Sequence, residues 1–146
     1  LFRPVTNEMK REAEIALESV GLTGFENRVI ESLSAGLFQR VLFARMLLQD
    51  AQIILLDEPF AAIDAKTTTD LLKVVFRWHT EKRTVIAVLH DMDQVKNNFP
   101  ETLLISREPI AWGPTNEVLI DKNMLKARQM VETWDEHAKI CNRDVT

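Results

Sequence analysis

Apolar residues recur at helical spacing along the first fifty positions. Met9, Ala13, Ala16, Leu17 and Val20 fall on one stripe, Thr6 is placed to cap the segment, Glu8 sits in its first turn, and Gly21 follows as a terminator. An irregular stretch, 22–33, separates this helix from a second. Ser34 is placed to cap that helix, which is predicted to run from about 37 to 49 with Leu37, Val41, Ala44 and Leu48 inward. From residue 51 the pattern changes. The run 53–56 is continuously apolar, of strand length, and ends in Asp57 and Glu58. The β-branched run 84–89 ends in His90 and Asp91, and 102–105 is a third such run. Between the first two, 66–81 is amphipathic with Leu71, Leu72, Val75 and Trp78 on one face. Continuous apolar strands separated by helices predict buried parallel strands in an α/β sheet flanked by helices. A short edge strand at 110–113, a Gly113-Pro114 turn and a closing helix over 122–136 complete the reading. The seam near residue 50 divides the chain into a helical subdomain, 1–50, and a sheet-bearing part, 51–146.

Composition narrows the class. Of 146 residues 46% are hydrophobic and 27% charged, which suits one globular domain with a core and excludes a wholly disordered chain. Eighteen basic against 22 acidic residues give a net charge of −4 with no block of like charge, which disfavours a nucleic-acid partner held by a basic face. The longest apolar runs, 53–56 and 85–89, fall far short of the ~20 residues that span a bilayer. The single cysteine, Cys141, has no internal partner, which suits a reducing compartment. No signal peptide is visible in 1–10, and the first residue is leucine, so the true start is expected upstream.

Parallel strands end on one side of their sheet, and ligands bind where those carboxyl ends open. Asp57, Glu58 and His90 fall at such ends. An acidic pair leaving a strand suits Mg²⁺, with one carboxylate reaching the metal or its waters and the other orienting an attacking water. The same Asp-Glu-Pro sequence also reads as a plain polar turn, and the residues alone leave both open.

The segment LSAGLFQRVLFARMLLQDAQIILLDEPFAAID closely resembles the second half of an ABC-transporter ATPase domain, in which Leu-Ser-Gly-Gly-Gln, a helix, four apolar residues, Asp-Glu-Pro and a loop ending in Asp follow in order. The resemblance covers nearly the whole chain and implies part of the P-loop NTPase fold. It assigns Ser34, Ala35, Gly36 and Leu37 to the signature that caps the γ-phosphate of ATP held by the opposite subunit. Asp57 becomes the Walker B aspartate, holding Mg²⁺ through water, and Glu58 the catalytic glutamate. Asp64 ends the loop that crosses the dimer interface, and His90 is the switch histidine that clamps the γ-phosphate. Implied with them are ATP as substrate, Mg²⁺, a second ATPase subunit, a membrane permease, a substrate-binding protein engaged indirectly, no nucleic acid, and a peripheral location on the cytoplasmic face of the plasma membrane. The stretch AVLHDMDQVKNNFPETLLISREPIAWGPTNEVL is similar to subunits that energise zinc, manganese or iron uptake.

The match has departures. Ala35 stands where the family has its first signature glycine and Leu37 where it has glutamine, which weakens the expected grip on nucleotide. None of the four glycines precedes a lysine, so the Gly-x-x-x-x-Gly-Lys-Ser/Thr phosphate loop is absent, and the chain reads as the C-terminal portion of a longer ATPase. The family also places a strand between 84–89 and 102–105; without it, these two strands are expected to pair directly, to drive self-association, or to leave the fold marginal. Two further readings stand beside the ATPase: a non-catalytic module docking on an intact ATPase or permease, and a metal-dependent phosphohydrolase built on Asp57, Glu58 and Asp64. His79 reads as a surface residue, Asp91 and Asp93 as the start of a helix, and Arg40 and Arg45 as ion-pairing residues. His137 and Cys141 show no zinc spacing.

Overall fold

Thr6 caps α1 (Asn7–Ser19) by accepting from the Met9 N–H. Gly21, at φ +77°, occupies the left-handed conformation that ends the helix at low cost. A short 3₁₀ turn, Ile30–Ser32, precedes α2 (Ala35–Gln49). Then follow β1 (Ile53–Asp57), α3 (Ala65–Thr80) and β2 (Thr84–Val88). The computed structural model describes residues 4–135, which divide into two compact units that part between His90 and Asp91. His137, Cys141 and the last residue of the expected closing helix lie outside the described residues.

In the first unit β1 and β2 are parallel, with Ile53 opposite Thr84 and Asp57 opposite Val88. The Arg83 guanidinium fastens the start of this ladder. It bonds Asp50 Oδ1 at 2.6 Å, Glu81 Oε2 at 2.9 Å and the Ala51 carbonyl at 3.3 Å, joining the end of α2 and the approach to β1 to the end of α3. The core is built from Leu22, Phe43, Leu71 and Trp78, all fully buried. Phe43 stacks on Trp78 with centroids 5.5 Å apart and meets Phe60 at 6.5 Å. This gathers α2, α3 and the loop after β1 around one aromatic cluster.

The second unit holds α4 (Met92–Asn98), β3 (Glu101–Ile105), β4 (Pro109–Pro114), α5 (Thr115–Val118) and α6 (Asp121–Asp135). Asp91 caps α4 through the amides of Asp93 and Gln94, as its place before the helix predicts. Buried Thr115 donates to the Phe99 carbonyl at 2.6 Å and bonds Thr102 Oγ1 at 2.8 Å, locking the end of β4 to the start of β3.

Two expectations change. The strand at 101–105 does not continue a parallel sheet: it pairs antiparallel with β4, because three residues of connection allow only a hairpin. Within each unit, β2 is bonded to β1, and β3 to β4. The strands are also not buried on both faces. Ile54 and Leu56 are buried, whereas Ile53, Leu55, Ile86 and Val88, on the opposite face, are each more than half exposed. In the hairpin, Leu103 and its cross-strand partner Trp112 are exposed as well. Continuous apolar sequence therefore signals two faces meant for burial, and one is open here. Among the described residues no helix is long and apolar enough to cross a membrane.

Two measurements follow. The open β1–β2 face is expected to drive concentration-dependent self-association. Leu55→Lys with Ile86→Glu should lower the mass seen by light scattering after size exclusion, and a strictly monomeric parent chain would contradict this. In the core, the Trp78 indole N–H is buried with no hydrogen-bond partner among the described residues. Trp78→Ala is expected to cost about 3–5 kcal/mol in urea unfolding, and Trp78→Phe less than half of that, since it sacrifices no hydrogen bond. Equal costs would show that the N–H is satisfied.

Candidate functional site

Each site residue predicted from sequence lies at the end of a regular element or within two residues of one. Asp57 is the last residue of β1, and Glu58 follows with φ +43°, in the left-handed region uncommon for a side-chain-bearing residue. The Glu58 N–H donates to the Val88 carbonyl at 3.1 Å and the Glu58 carbonyl accepts from the Ala61 N–H at 3.1 Å, so the reversal is fixed on both sides. Ala62, at φ +57°, is a second left-handed residue in the same loop. This reversal carries the Glu58 carboxylate across the end of β2, where its Oε1 lies 2.9 Å from His90 Nε2. Both side chains are exposed. Asp57 is exposed as well.

Ser34 caps α2. Its Oγ accepts from the Leu37 N–H at 3.4 Å, and as an acceptor it retains its own hydroxyl proton. The amides of Ala35 and Gly36 belong to the first turn, where a helix supplies no internal acceptor, so this end is suited to an anion. Leu37 contributes only its backbone to the cap.

Asp64 caps α3 with both carboxylate oxygens: Oδ1 accepts from the Thr67 N–H at 2.9 Å and Oδ2 from the Thr67 hydroxyl at 2.7 Å. The Thr67 hydroxyl first, and its backbone N–H second, hold the Asp64 carboxyl below the usual aspartate range. Gly36 lies against this cap. A β-carbon there would sit 3.5 Å from Thr67 Oγ1 and 3.6 Å from Asp64 Oδ2, an ordinary contact distance. Asp70, one turn on, is bonded by Arg40 at 2.9 Å and Lys73 at 2.9 Å, and these bonds, Arg40's foremost, lower its carboxyl.

The fold thus brings together two pairs: Glu58 with His90, and the signature glycine with Asp64. It does not join them, since no hydrogen bond links Ser34, Ala35, Gly36 or Leu37 to Glu58 or His90 among the described residues. Sequence reading placed Arg40 in an ion pair but missed Thr67 and Asp70. The spacing of Asp64 and Thr67, three residues apart at a helix start, was the available signal. Among the described residues no cluster of three or more His, Cys, Asp or Glu side chains could hold a metal by itself. The exposed carboxylates of Asp57 and Glu58 would instead suit a cation that keeps most of its water.

The ABC transporter family model matches residues 2–61. The manganese transport system ATP-binding protein MntB of Halalkalibacterium halodurans is 33% identical over 88% of this chain and 51% of its own length. Its counterpart from Bacillus subtilis is 38% identical over 78% of this chain and 46% of its own. Among solved structures, a nucleotide-free ATP-binding cassette from an ABC transporter superposes with a TM-score of 0.74 at 26% identity, over 90% of this chain and 51% of that one. A protein described as a metal-chelate type ABC transporter, in an inward-facing conformation, gives 0.80 at 28% identity, over 88% of this chain and 51% of its own. The chain spans about half the length of the curated relatives it matches. Over most of its length the chain is thus similar to the ATP-binding cassettes of ABC transporters, the family that these matches share.

Proposed function

We propose that this chain supplies the hydrolytic half of an ATP-binding cassette that energises metal-ion transport. The observation that carries the reading is the 2.9 Å approach of Glu58 Oε1 to His90 Nε2, at the carboxyl ends of two parallel strands. With a ring proton on Nε2, His90 donates to Glu58 and fixes that carboxylate. Its second oxygen remains to accept a proton from water, which then attacks the γ-phosphorus of ATP as the bond to ADP breaks. Asp57 would hold Mg²⁺ through its water shell, and the ion neutralises phosphate charge when bound. Ser34, with the first-turn amides of α2, would donate to the γ-phosphate of ATP carried by a second subunit, and Asp64 would meet that subunit's loop. Residues 1–50 would then act as the helical subdomain and 51–146 as the C-terminal part of the core.

The names of the relatives favour manganese as the transported ion. None of the described residues would touch it, because the cassette would act through a membrane permease, on whose cytoplasmic face it would lie. A substrate-binding protein would be engaged only indirectly. A second reading, a non-catalytic docking module, draws on the absence of a Gly-Lys phosphate loop from the sequence.

Both readings meet in one experiment. The chain is joined behind the preceding half of the Bacillus subtilis manganese ATP-binding protein, and ATP turnover is measured alongside the 146-residue chain alone. The chain alone is expected to be inactive and the joined protein active. Glu58→Gln should cut the joined protein's turnover by about 10²–10⁴-fold while ATP binding and ATP-induced dimerisation persist, because the amide keeps the shape and loses the base. An inactive joined protein favours the docking module; an active Glu58→Gln protein points to another base, with His90 the first suspect. In the same protein, Leu37→Gln is expected to raise turnover or tighten the ATP-bound dimer several-fold at most, since one hydrogen bond contributes about 0.5–1.5 kcal/mol. No change in either would mean that the backbone of this turn suffices.

A further inference from the structure

One side chain reaches three elements of the first unit. Arg40 lies one turn beyond Gly36, on the same face of α2. Its Nη1 donates to the Val20 carbonyl at the end of α1 at 2.8 Å, and its Nη2 donates to Asp70 Oδ2 at 2.9 Å and to Thr67 Oγ1 at 3.4 Å. It is largely buried, with 13% of its side chain exposed. Buried Thr67 is therefore flanked by a donor-only guanidinium and the Asp64 carboxylate, which is acceptor-only when ionised. A hydroxyl has one proton. Facing Arg40 it can only accept, so that proton goes to Asp64.

We propose that Arg40 is a positioning residue for Asp64: its guanidinium, anchored on Asp70 and Val20, orients the Thr67 hydroxyl so that the Asp64 carboxylate is held beside Gly36. The inference rests on reading Asp64 as the contact with a second subunit, and it adds that the signature helix sets that contact from within its own chain. A lysine at position 40 keeps the charge beside Asp70, yet a single ammonium on a flexible stem cannot reproduce the planar fork that serves Val20, Asp70 and Thr67 together.

The test follows the Asp64 carboxyl carbon by NMR as the 146-residue chain is titrated, with no nucleotide present. Thr67→Val should raise the midpoint of Asp64, and Thr67→Ser should leave it at the parent value. Arg40→Lys should also raise it, although Arg40 does not touch Asp64, and should raise it no further once Thr67→Val is in place. An Asp64 midpoint indifferent to Arg40→Lys, or effects of Arg40→Lys and Thr67→Val that simply add, would overturn the proposal and leave Arg40 a clamp between helices. Should Arg40→Lys fail to fold, Asp70→Asn removes one anchor of the guanidinium and must then raise the Asp64 midpoint in the Thr67 parent but not in Thr67→Val; any other pattern overturns the proposal. In the joined protein, Arg40→Lys is expected to lower kcat several-fold with KM for ATP unchanged. A joined protein without turnover would remove the subunit-contact reading and leave the titration result intact. An active protein whose Asp64 ignores position 40 would remove only this inference.

Discussion

The parallel register of β1 and β2 is the constraint on which the site depends. With Asp57 level with Val88, the residues immediately beyond leave the sheet at the same end. Glu58 stays close because its N–H bonds the Val88 carbonyl, and His90 lies only two residues past that carbonyl. A slip of one residue would turn Ile54 and Leu56 out of the core and part the carboxylate from the imidazole. Packing therefore guards the chemistry: the buried side chains that cannot change faces are the ones that set the register. Arg83 adds a second lock at the far end of the ladder.

The two helix starts follow a different logic. Ser34 and Asp64 each satisfy the first turn of a helix, a local structural task, and each is also placed where the proposed function needs a polar group. Ser34 uses a lone pair for capping and keeps its proton. Asp64 uses both oxygens on Thr67, so its carboxylate direction is determined by its neighbours. The doubling of roles explains why substitution at a capping position disturbs stability and chemistry together.

Much of this was legible in the sequence because it is local. The caps at Thr6 and Ser34, the helix start at Asp91, the apolar period of α3, the strand end at Asp57 and the place of His90 just beyond β2 follow from short-range rules, and the ordered motifs supplied the resemblance. What escaped was non-local. Arg40 could be paired in principle with any acidic residue, and only the packing of α2 on α3 selects Asp70 and Thr67. The antiparallel partner of β3 depends on connection length, which apolar runs do not reveal, and the open face of β1 and β2 depends on what lies across from the sheet. The left-handed turn at Glu58 gave no signal at all, since glutamate is not a residue that advertises it.

That turn also restricts the routes by which the site can decay. At φ +43° the position tolerates glycine, asparagine or aspartate far better than valine, isoleucine or threonine, whose branched β-carbons crowd the backbone there. Were the proposed hydrolysis lost while the fold is kept, replacements at this point would thus be channelled toward small or amide residues. A β-branched residue at position 58 would mark a chain whose loop, and not merely its chemistry, has been rebuilt.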